Sequence, residues 1–165
     1  MKTLFIGGVK SGKSRLAEAY ILERAVTNKP YYLATTEFLD DEMQARVRIH
    51  QQRRKDSFIT LEESIKLFDA LVKCQRPVLI ECVSMWLNNL LYHQIPEEDI
   101  LQELDAVLRL PCKMVLVHNE VGSGVIADNP LARQFVDLSG KASQLMGQYC
   151  DEVFFCSAGL KIRMK

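Results

Sequence analysis

The sequence predicts an α/β fold, a three-layer α/β/α sandwich built on a mostly parallel sheet. Short apolar runs alternate with helical segments along the chain, and this alternation is typical of parallel strands joined by right-handed crossovers. The apolar runs are nearly continuous, as expected for strands that helices cover on both faces. The length of 165 residues suits one core and is short for two, so residues 1–165 are expected to form a single domain.

The first half of the chain contains predicted strands separated by helices. The run "TLFI" ends at glycines and indicates a buried strand, and residues 14 to about 25 have apolar side chains at helical spacing. "YYLAT" is the next strand. "DDEMQARVRIHQQRRK" is rich in helix formers, and its opening Asp40 and Asp41 suit the positive end of a helix. "FITL" is a candidate short strand, and "EESIKLFDALVKC" is predicted to be a helix.

The second half continues the pattern with three apolar strands, "PVLIECV", "KMVLVHNE" and "EVFFCSA", the last of which is expected to end the sheet. "SMWLNNLLYHQ" and "EEDILQELDAVLRL" are predicted helices, and a long helix follows Asn129 as its cap with Pro130 at its first position. Ligands in such folds bind at the carboxyl ends of the strands. The glycine-rich turn and five polar or acidic residues follow the predicted strands, so we expect all of them to lie at one edge of the sheet. The five residues are Thr35, Thr36, Glu81, Asn119 and Glu120.

Composition narrows the function classes. Lys and Arg total 21 and Asp and Glu total 21, so no global basic field favours nucleic acid as a partner. No apolar run reaches the ~20 residues of a membrane span, and the start of the chain lacks the pattern of a secretory signal. The five cysteines are odd in number and never spaced as CxxC. We expect reduced cysteines in a cytoplasmic protein.

The turn after the first strand fits the pattern G-x-x-x-x-G-K-[ST] and lies between a strand and a helix, where that motif binds phosphate. Its backbone N–H groups and the helix N-terminus would cradle the phosphates of a nucleoside triphosphate. Lys13 would reach the β and γ phosphates, and the Ser14 hydroxyl would bind Mg²⁺. The alternative is a chance glycine turn. The predicted nucleotide-binding residues of this loop are Gly7, Gly8, Val9, Lys10, Ser11, Gly12, Lys13 and Ser14.

Two carboxylates are candidates for the acidic partner of that Mg²⁺. Glu81 ends the most apolar strand and is the better candidate, while Glu120 follows "VLVHN". The alternative for Glu81 is a structural carboxylate that accepts hydrogen bonds from loop N–H groups. Either of the two could also act as the base in a kinase reaction, and the sequence does not choose between them.

Of the three histidines, His50 has the most suggestive surroundings. On the predicted helix it shares a face with Arg46 and with Arg53 and Arg54, where an imidazole could attack or hold a polyphosphate. Neighbouring guanidiniums would also disfavour the imidazolium and leave a nucleophilic nitrogen free near neutral pH. The alternative is a solvated basic face, which spacing alone favours. His93 is interpreted as a surface residue near a helix end and His118 as a hydrogen-bonded residue at a strand end.

Four stretches together resemble the bifunctional adenosylcobinamide kinase / adenosylcobinamide-phosphate guanylyltransferase family of cobalamin biosynthesis. They are "GGVKSGKSRLAE", "YYLATTEFLDDEMQARVRIHQQRR", "LIECVSMWLNNLL" and "VLVHNEVGSGVIADNPLARQFVDLSGKASQ", in the order and spacing of the family. The resemblance spans nearly the whole chain. The phosphate loop alone would not discriminate, whereas the second and fourth stretches are far more specific.

This resemblance implies a RecA-like P-loop NTPase fold assembled as a homotrimer. It also implies two reactions. The γ-phosphate of ATP or GTP passes to the hydroxyl of adenosylcobinamide, and GMP from GTP then passes to that phosphate, which gives adenosylcobinamide-GDP and pyrophosphate. The second reaction of the family runs through a guanylyl-histidine, and His50 is the position that matches.

The resemblance also carries over nucleotide contacts beyond the loop. The matching positions here are Ala34, Thr35, Thr36, Gln51, Gln52, Arg53, Arg54, Glu62 and Glu81. The family often has a second histidine before the nucleophile, but Ile49 occupies that position here and leaves His50 as the choice. The "QQRR" that follows His50 also departs from the family pattern.

Two other functions fit parts of the sequence. A P-loop kinase for another small metabolite would use the loop but place His50 on a mere basic face. A nucleotide-dependent switch would hydrolyse NTP in response to a macromolecule. A family member that keeps only one of the two reactions is a third reading.

Overall fold

The computed structural model describes residues 1–25, 28–37 and 56–165, which form one seven-stranded sheet with helices on both faces. In chain order the strands are β1 (Lys2–Gly7), β2 (Tyr31–Ala34), β3 (Ile59–Glu62), β4 (Val78–Glu81), β5 (Met114–Asn119), β6 (Glu152–Ser157) and β7 (Leu160–Arg163). The sheet order is β3-β2-β4-β5-β1-β6-β7. All pairs from β3 to β6 are parallel, and only β7 runs antiparallel to its neighbour. The predicted three-layer fold with a mostly parallel sheet is confirmed.

The helices of the described residues are α1 (Lys13–Arg24), α2 (Leu67–Leu71), α3 (Val83–Tyr92), α4 (Glu97–Arg109) and α5 (Pro130–Tyr149). The start of α5 is as predicted, since Pro130 is its first residue and the Asn129 side chain accepts a hydrogen bond from the N–H of Leu131 at 2.8 Å. The helix predicted from "DDEMQARVRIHQQRRK" lies outside the described residues.

Two predictions for the elements were wrong. The helix expected over "EESIKLFDALVKC" begins only at Leu67, because Glu62 belongs to β3 and the Glu63 carboxylate accepts hydrogen bonds from the N–H groups of Ile65 and Lys66. These bonds form a turn between strand and helix. The strand "EVFFCSA" does not end the sheet either, because the chain reverses after Ser157 and adds β7.

Successive strand residues point to opposite layers and form two cores. One core packs strand residues such as Leu4, Ile80 and Leu116 against α2 to α5, with Trp86 fully buried among them. The other packs Phe5, Leu79 and Val117 against α1. Burial of both faces explains why the strands are apolar without interruption.

The register of the parallel strands aligns their carboxyl ends along one edge of the sheet. Ala34 of β2 lies opposite both Glu62 of β3 and Glu81 of β4, and Gly7 of β1 lies opposite Asn119 of β5. The phosphate loop, Glu62 and Glu81 therefore share the edge at which parallel α/β folds bind ligands.

Candidate active site

The loop from Gly7 to Ser14 connects β1 to α1 in a tight turn. Its first turn is closed by a hydrogen bond from the N–H of Ser11 to the carbonyl of Gly8 at 3.2 Å, and Gly12 caps α1 with φ of +91°. A positive φ is accessible to glycine at little cost. The N-terminus of α1 thus points its first N–H groups toward the carboxyl edge of the sheet, where an anion would bind.

The β6–β7 turn packs directly on this loop, a contact that the sequence analysis did not predict. The N–H of Gly159 donates to the carbonyl of Ser11 at 2.9 Å, and a Cβ on Gly12 would lie 3.0 Å from Gly159 Cα. A Cβ on Gly7 would lie 2.3 Å from the Cys156 carbonyl oxygen in β6. Glycine is therefore required in the loop both for its shape and for the close approach of β6 and β7. The short turn "SAG" ahead of "LKIR" is the sequence signal for this hairpin.

The two loop side chains with predicted chemical roles lie as the motif requires. Lys13 is buried and its ammonium donates to the carbonyl of Gly8 at 3.1 Å, so it rests across the mouth of the loop. The Ser14 hydroxyl donates to Oε1 of Glu81 at 2.8 Å, across 67 residues of chain. The strand end of β4 and the start of α1 are thereby joined at one point.

That Ser14–Glu81 pair fits a Mg²⁺ site. Two oxygens bound next to each other in an octahedral Mg²⁺ shell, at about 2.0–2.1 Å from the ion, lie about 2.9 Å apart, close to the 2.8 Å between these atoms. The described residues contain no group of three or more His, Cys, Asp or Glu side chains that could hold a metal. A two-ligand protein site suits Mg²⁺, which takes its remaining ligands from phosphates and water.

Thr35 is fully buried beside this pair and fixes the end of β2 to β4. Its hydroxyl donates to the Cys82 carbonyl at 2.8 Å and accepts from the Cys82 N–H at 2.9 Å, while its own N–H donates to the Glu81 carbonyl. Ala34 and Thr36 flank it and are partly exposed, and Glu62 is exposed at the end of β3. The nucleotide contacts predicted for these positions stay predictions.

Glu120 has a structural task in the loop after β5. Its carboxylate accepts from the N–H groups of Gly122 and Ser123, and its N–H donates to the Gly7 carbonyl at 3.0 Å. Partial burial raises the pKa of this carboxyl, but the hydrogen bonds from Ser123 and Gly122 outweigh it and lower the pKa overall. A carboxylate with a lowered pKa is a weaker base. This lowered pKa counts against Glu120 as the base of a kinase reaction.

His118 is a buried structural residue, as interpreted from the sequence. The Ser84 hydroxyl accepts from the Asn119 N–H and shares a hydrogen bond with Nδ1 of His118 at 3.0 Å. Nε2 of the ring shares a hydrogen bond with the Ser139 hydroxyl at 3.0 Å. Burial lowers the pKa of His118 to about 4, aided by the charge of Lys13. Both ring nitrogens are occupied, and the neutral ring links β5 to α3 and α5.

We expect the stability of the fold to fall in mild acid because of His118. The unfolded chain binds a proton at this residue below pH ~6.5, whereas the folded chain does so only near its pKa of about 4. Above pH ~6.5 the ring is neutral in both states, and His118 does not change the free energy of unfolding. As the pH falls from there toward 4, only the unfolded chain binds the proton, and this lowers the free energy of unfolding by about 2 kcal/mol at pH 5. Urea unfolding at pH 7.5 and pH 5 should show a smaller loss for His118→Gln than for the wild type. Equal losses in the two proteins would contradict this assignment.

His93 lies at the end of α3, as predicted for a surface residue near a helix end. Its Nε2 contacts both carboxylate oxygens of Glu37, at 2.8 and 3.0 Å. The remaining predicted site residues lie outside the described residues. These are His50, the proposed nucleophile, and Gln51, Gln52, Arg53 and Arg54.

No helix of the described residues is both long and apolar enough to cross a membrane. The five cysteines are free thiols, with Cys150 and Cys156 buried and the other three half-buried.

Comparisons with known proteins converge on one family. The model of the family described as cobinamide kinase / cobinamide phosphate guanyltransferase matches residues 3–164. The chain is 35% identical over 184 residues to the bifunctional adenosylcobalamin biosynthesis protein CobU of Escherichia coli (strain K12), covering 100% of both chains. It is 37% identical over 172 residues to the bifunctional adenosylcobalamin biosynthesis protein CobP of Pseudomonas aeruginosa, covering 100% of this chain and 98% of that one.

Among solved structures, the flagellar accessory protein FlaH from Methanocaldococcus jannaschii matches with a TM-score of 0.55 and 9% sequence identity, covering 99% of this chain and 77% of that chain. At this identity the similarity shows the fold alone. It agrees with the three-layer α/β/α fold on a mostly parallel sheet described above.

Proposed function

The chain belongs to the cobinamide kinase / cobinamide phosphate guanyltransferase family, and from this premise we propose that it carries out both reactions of that name. It phosphorylates adenosylcobinamide with ATP or GTP and then transfers GMP from GTP to adenosylcobinamide phosphate, which releases pyrophosphate. The observation that supports this most directly is the 2.8 Å contact between Ser14 and Glu81. It joins the phosphate loop to an acidic strand end, the two kinds of ligand that hold Mg²⁺ at a bound triphosphate in P-loop NTPases.

The kinase step depends on positioning and on neutralised charge, since a hydroxyl is a poor nucleophile. Lys13 and the N–H groups of the loop would bind the β and γ phosphates. Ser14 and Glu81 would hold Mg²⁺, which neutralises charge on the phosphates when bound. The proton of the attacking hydroxyl would pass to a carboxylate or a bound water at this edge of the sheet.

Guanylyl transfer breaks the bond between the α- and β-phosphates of GTP, whereas the kinase step breaks the bond between the β- and γ-phosphates. A nitrogen of His50 would attack the α-phosphorus, form an N–P bond and displace pyrophosphate, which takes the electron pair of the broken P–O bond. An oxygen of adenosylcobinamide phosphate would then attack the same phosphorus and release the imidazole. The phosphate loop would hold the transferred end of the nucleotide in the kinase step and the departing pyrophosphate in this one.

Incubation of the protein with adenosylcobinamide, GTP and Mg²⁺ tests the proposal, with both products weighed by mass spectrometry. We expect adenosylcobinamide phosphate to appear first and adenosylcobinamide-GDP to follow, with one pyrophosphate per GMP transferred. Phosphorylation without the second product would indicate a kinase for this substrate alone. A rate of NTP hydrolysis that does not change when adenosylcobinamide is added would favour the nucleotide-dependent switch instead.

We further propose that the protein is cytoplasmic and acts as a homotrimer. Family membership supports this proposal, because the resemblance to that family implies a homotrimer. Light scattering of the purified protein would give the mass of the assembly directly.

A further inference from the structure

One face of α3 carries three polar donors that all bind loops at the carboxyl edge of the sheet. They are Trp86, Asn89 and His93, spaced i, i+3 and i+7, so their side chains lie in one row along the helix. The Trp86 indole N–H donates to the Ile65 carbonyl at 2.7 Å.

The middle donor bridges two loops. The amide nitrogen of Asn89 donates to the Thr35 carbonyl at 2.7 Å and to the Ser64 carbonyl at 3.1 Å. Because both partners are carbonyl oxygens, the amide must present its nitrogen to them. At the end of the row, His93 contacts the Glu37 carboxylate.

The two loops held in this way carry predicted parts of the guanylyl-transfer site. Thr35 to Glu37 form the exit of β2 and lead into the chain that bears His50. Ser64 and Ile65 follow Glu62, a predicted nucleotide contact, in the turn between β3 and α2. One helix thus contacts both loops, in addition to the bonds that join Thr35 to Glu81 and Cys82.

An asparagine at a core position such as Asn89 lowers the stability of the fold unless its hydrogen bonds offset the cost of burying the amide. Asn89 is fully buried, and its Oδ1 has no hydrogen-bond partner among the described residues. A buried polar atom without a partner lowers stability, and an apolar side chain of similar size would avoid that cost. A leucine could fill the same space, but it could not form the two hydrogen bonds that the amide nitrogen of Asn89 donates.

We propose that Asn89, with Trp86 and His93 beside it, is a positioning residue for guanylyl transfer. These side chains bind the β2 exit, which leads in sequence toward His50, and the β3–α2 turn, which follows Glu62. The inference rests on the proposed function, because it requires that the protein form a guanylyl-histidine.

The phosphate loop is held by other contacts, so the two reactions should respond differently. Its anchors are the bonds from Gly159 to Ser11, from Ser14 to Glu81 and from Glu120 to Gly7, and none of them involves the row on α3. Loss of the row should therefore loosen the β2–β3 side of the site, while the bonds of Thr35 to Glu81 and Cys82 and the anchors of the loop remain.

The test compares Asn89→Ala with Asn88→Ala, the same change one residue away at an exposed position of α3. The rate of protein guanylylation is measured in a single turnover with GTP labelled at the α-phosphate, and phosphorylation of adenosylcobinamide is measured with ATP. We expect Asn89→Ala to lower the first rate about tenfold or more and the second by less than about threefold, since small misplacements of reacting groups are costly. Asn88→Ala should leave both rates unchanged.

Variants at two further positions keep the test decisive if Asn89→Ala fails to fold. Trp86→Phe removes the indole N–H donor and keeps an aromatic ring. His93→Ala removes the half-exposed contact with Glu37, and His93→Gln restores a hydrogen-bond donor toward it. Trp86→Phe and His93→Ala should each slow guanylylation more than phosphorylation. His93→Gln should recover much of the guanylylation rate that His93→Ala loses.

Equal reductions of the two rates would show a merely structural role and overturn the inference, as would a wild-type guanylylation rate in the folded variants. A wild-type protein that forms no guanylyl adduct would instead refute the proposed function, and the inference with it. The wild-type control therefore separates the two failures.

Discussion

Replacing Lys13 with methionine is expected to lower both adenosylcobinamide phosphorylation and GMP transfer by at least about 100-fold, the scale of losing one preorganised charge-stabilising donor. Lys13 is buried at the mouth of the loop, where its ammonium contacts the Gly8 carbonyl. In the proposed reactions this ammonium moves onto phosphate oxygens. It stabilises the γ-phosphoryl group in one reaction and the departing pyrophosphate in the other.

Methionine is the sharper substitution because Lys13 is buried. It keeps most of the volume of the aliphatic stem and removes the charge, whereas Lys13→Ala would also leave a cavity. The control is Lys113→Ala, which removes a positive charge from the exposed residue just before β5, at the opposite edge of the sheet. Initial rates of both reactions at saturating nucleotide give the comparison.

The informative result is the ratio of the two losses. If Lys13→Met abolishes phosphorylation while GMP transfer continues at the wild-type rate, the two reactions use separate triphosphate sites. The proposal that one loop serves both would then be wrong.

The glycine-rich loop between β1 and α1 was predictable from the sequence because its shape is local. A glycine-rich turn between an apolar strand and a helix constrains its own backbone, so Gly7 to Ser14 could be assigned without tertiary information. The approach of Ser14 to Glu81 was predictable in outline from the rule that parallel strands end at one sheet edge. Its distance was not, because it depends on how α1 packs against the sheet.

Contacts between distant segments account for what the sequence did not predict. The β6–β7 hairpin over the loop was missed because "LKIR" is short and wholly exposed, and such a run lacks the apolar signature of a buried strand. The row of donors on α3 was missed for a different reason. Trp86, Asn89 and His93 bind backbone carbonyl and carboxylate groups of other segments, and helical spacing alone does not reveal such partners.

His50→Ala is expected to abolish the guanylyl adduct and GMP transfer while some phosphorylation of adenosylcobinamide remains. The kinase step needs the loop, Ser14 and Glu81, whereas GMP transfer needs a nitrogen nucleophile at the α-phosphorus. Wild-type protein incubated with GTP labelled at the α-phosphate should retain the label in a bond that is labile in acid and stable in base, as expected for a phosphoramidate. Peptide mass spectrometry should place it on the peptide that contains His50.

The other two histidines make this assignment testable. Both ring nitrogens of His118 are engaged with serine hydroxyls in the buried core, so this residue cannot take up GMP without unfolding. His93 is half-exposed and paired with Glu37, which makes it the one alternative among the described histidines. If His50→Ala keeps the adduct, the nucleophile has been misassigned, and His93→Ala in that background should then remove the label. If the adduct disappears in His50→Ala while phosphorylation continues, the histidine and the phosphate loop divide the chemistry as proposed.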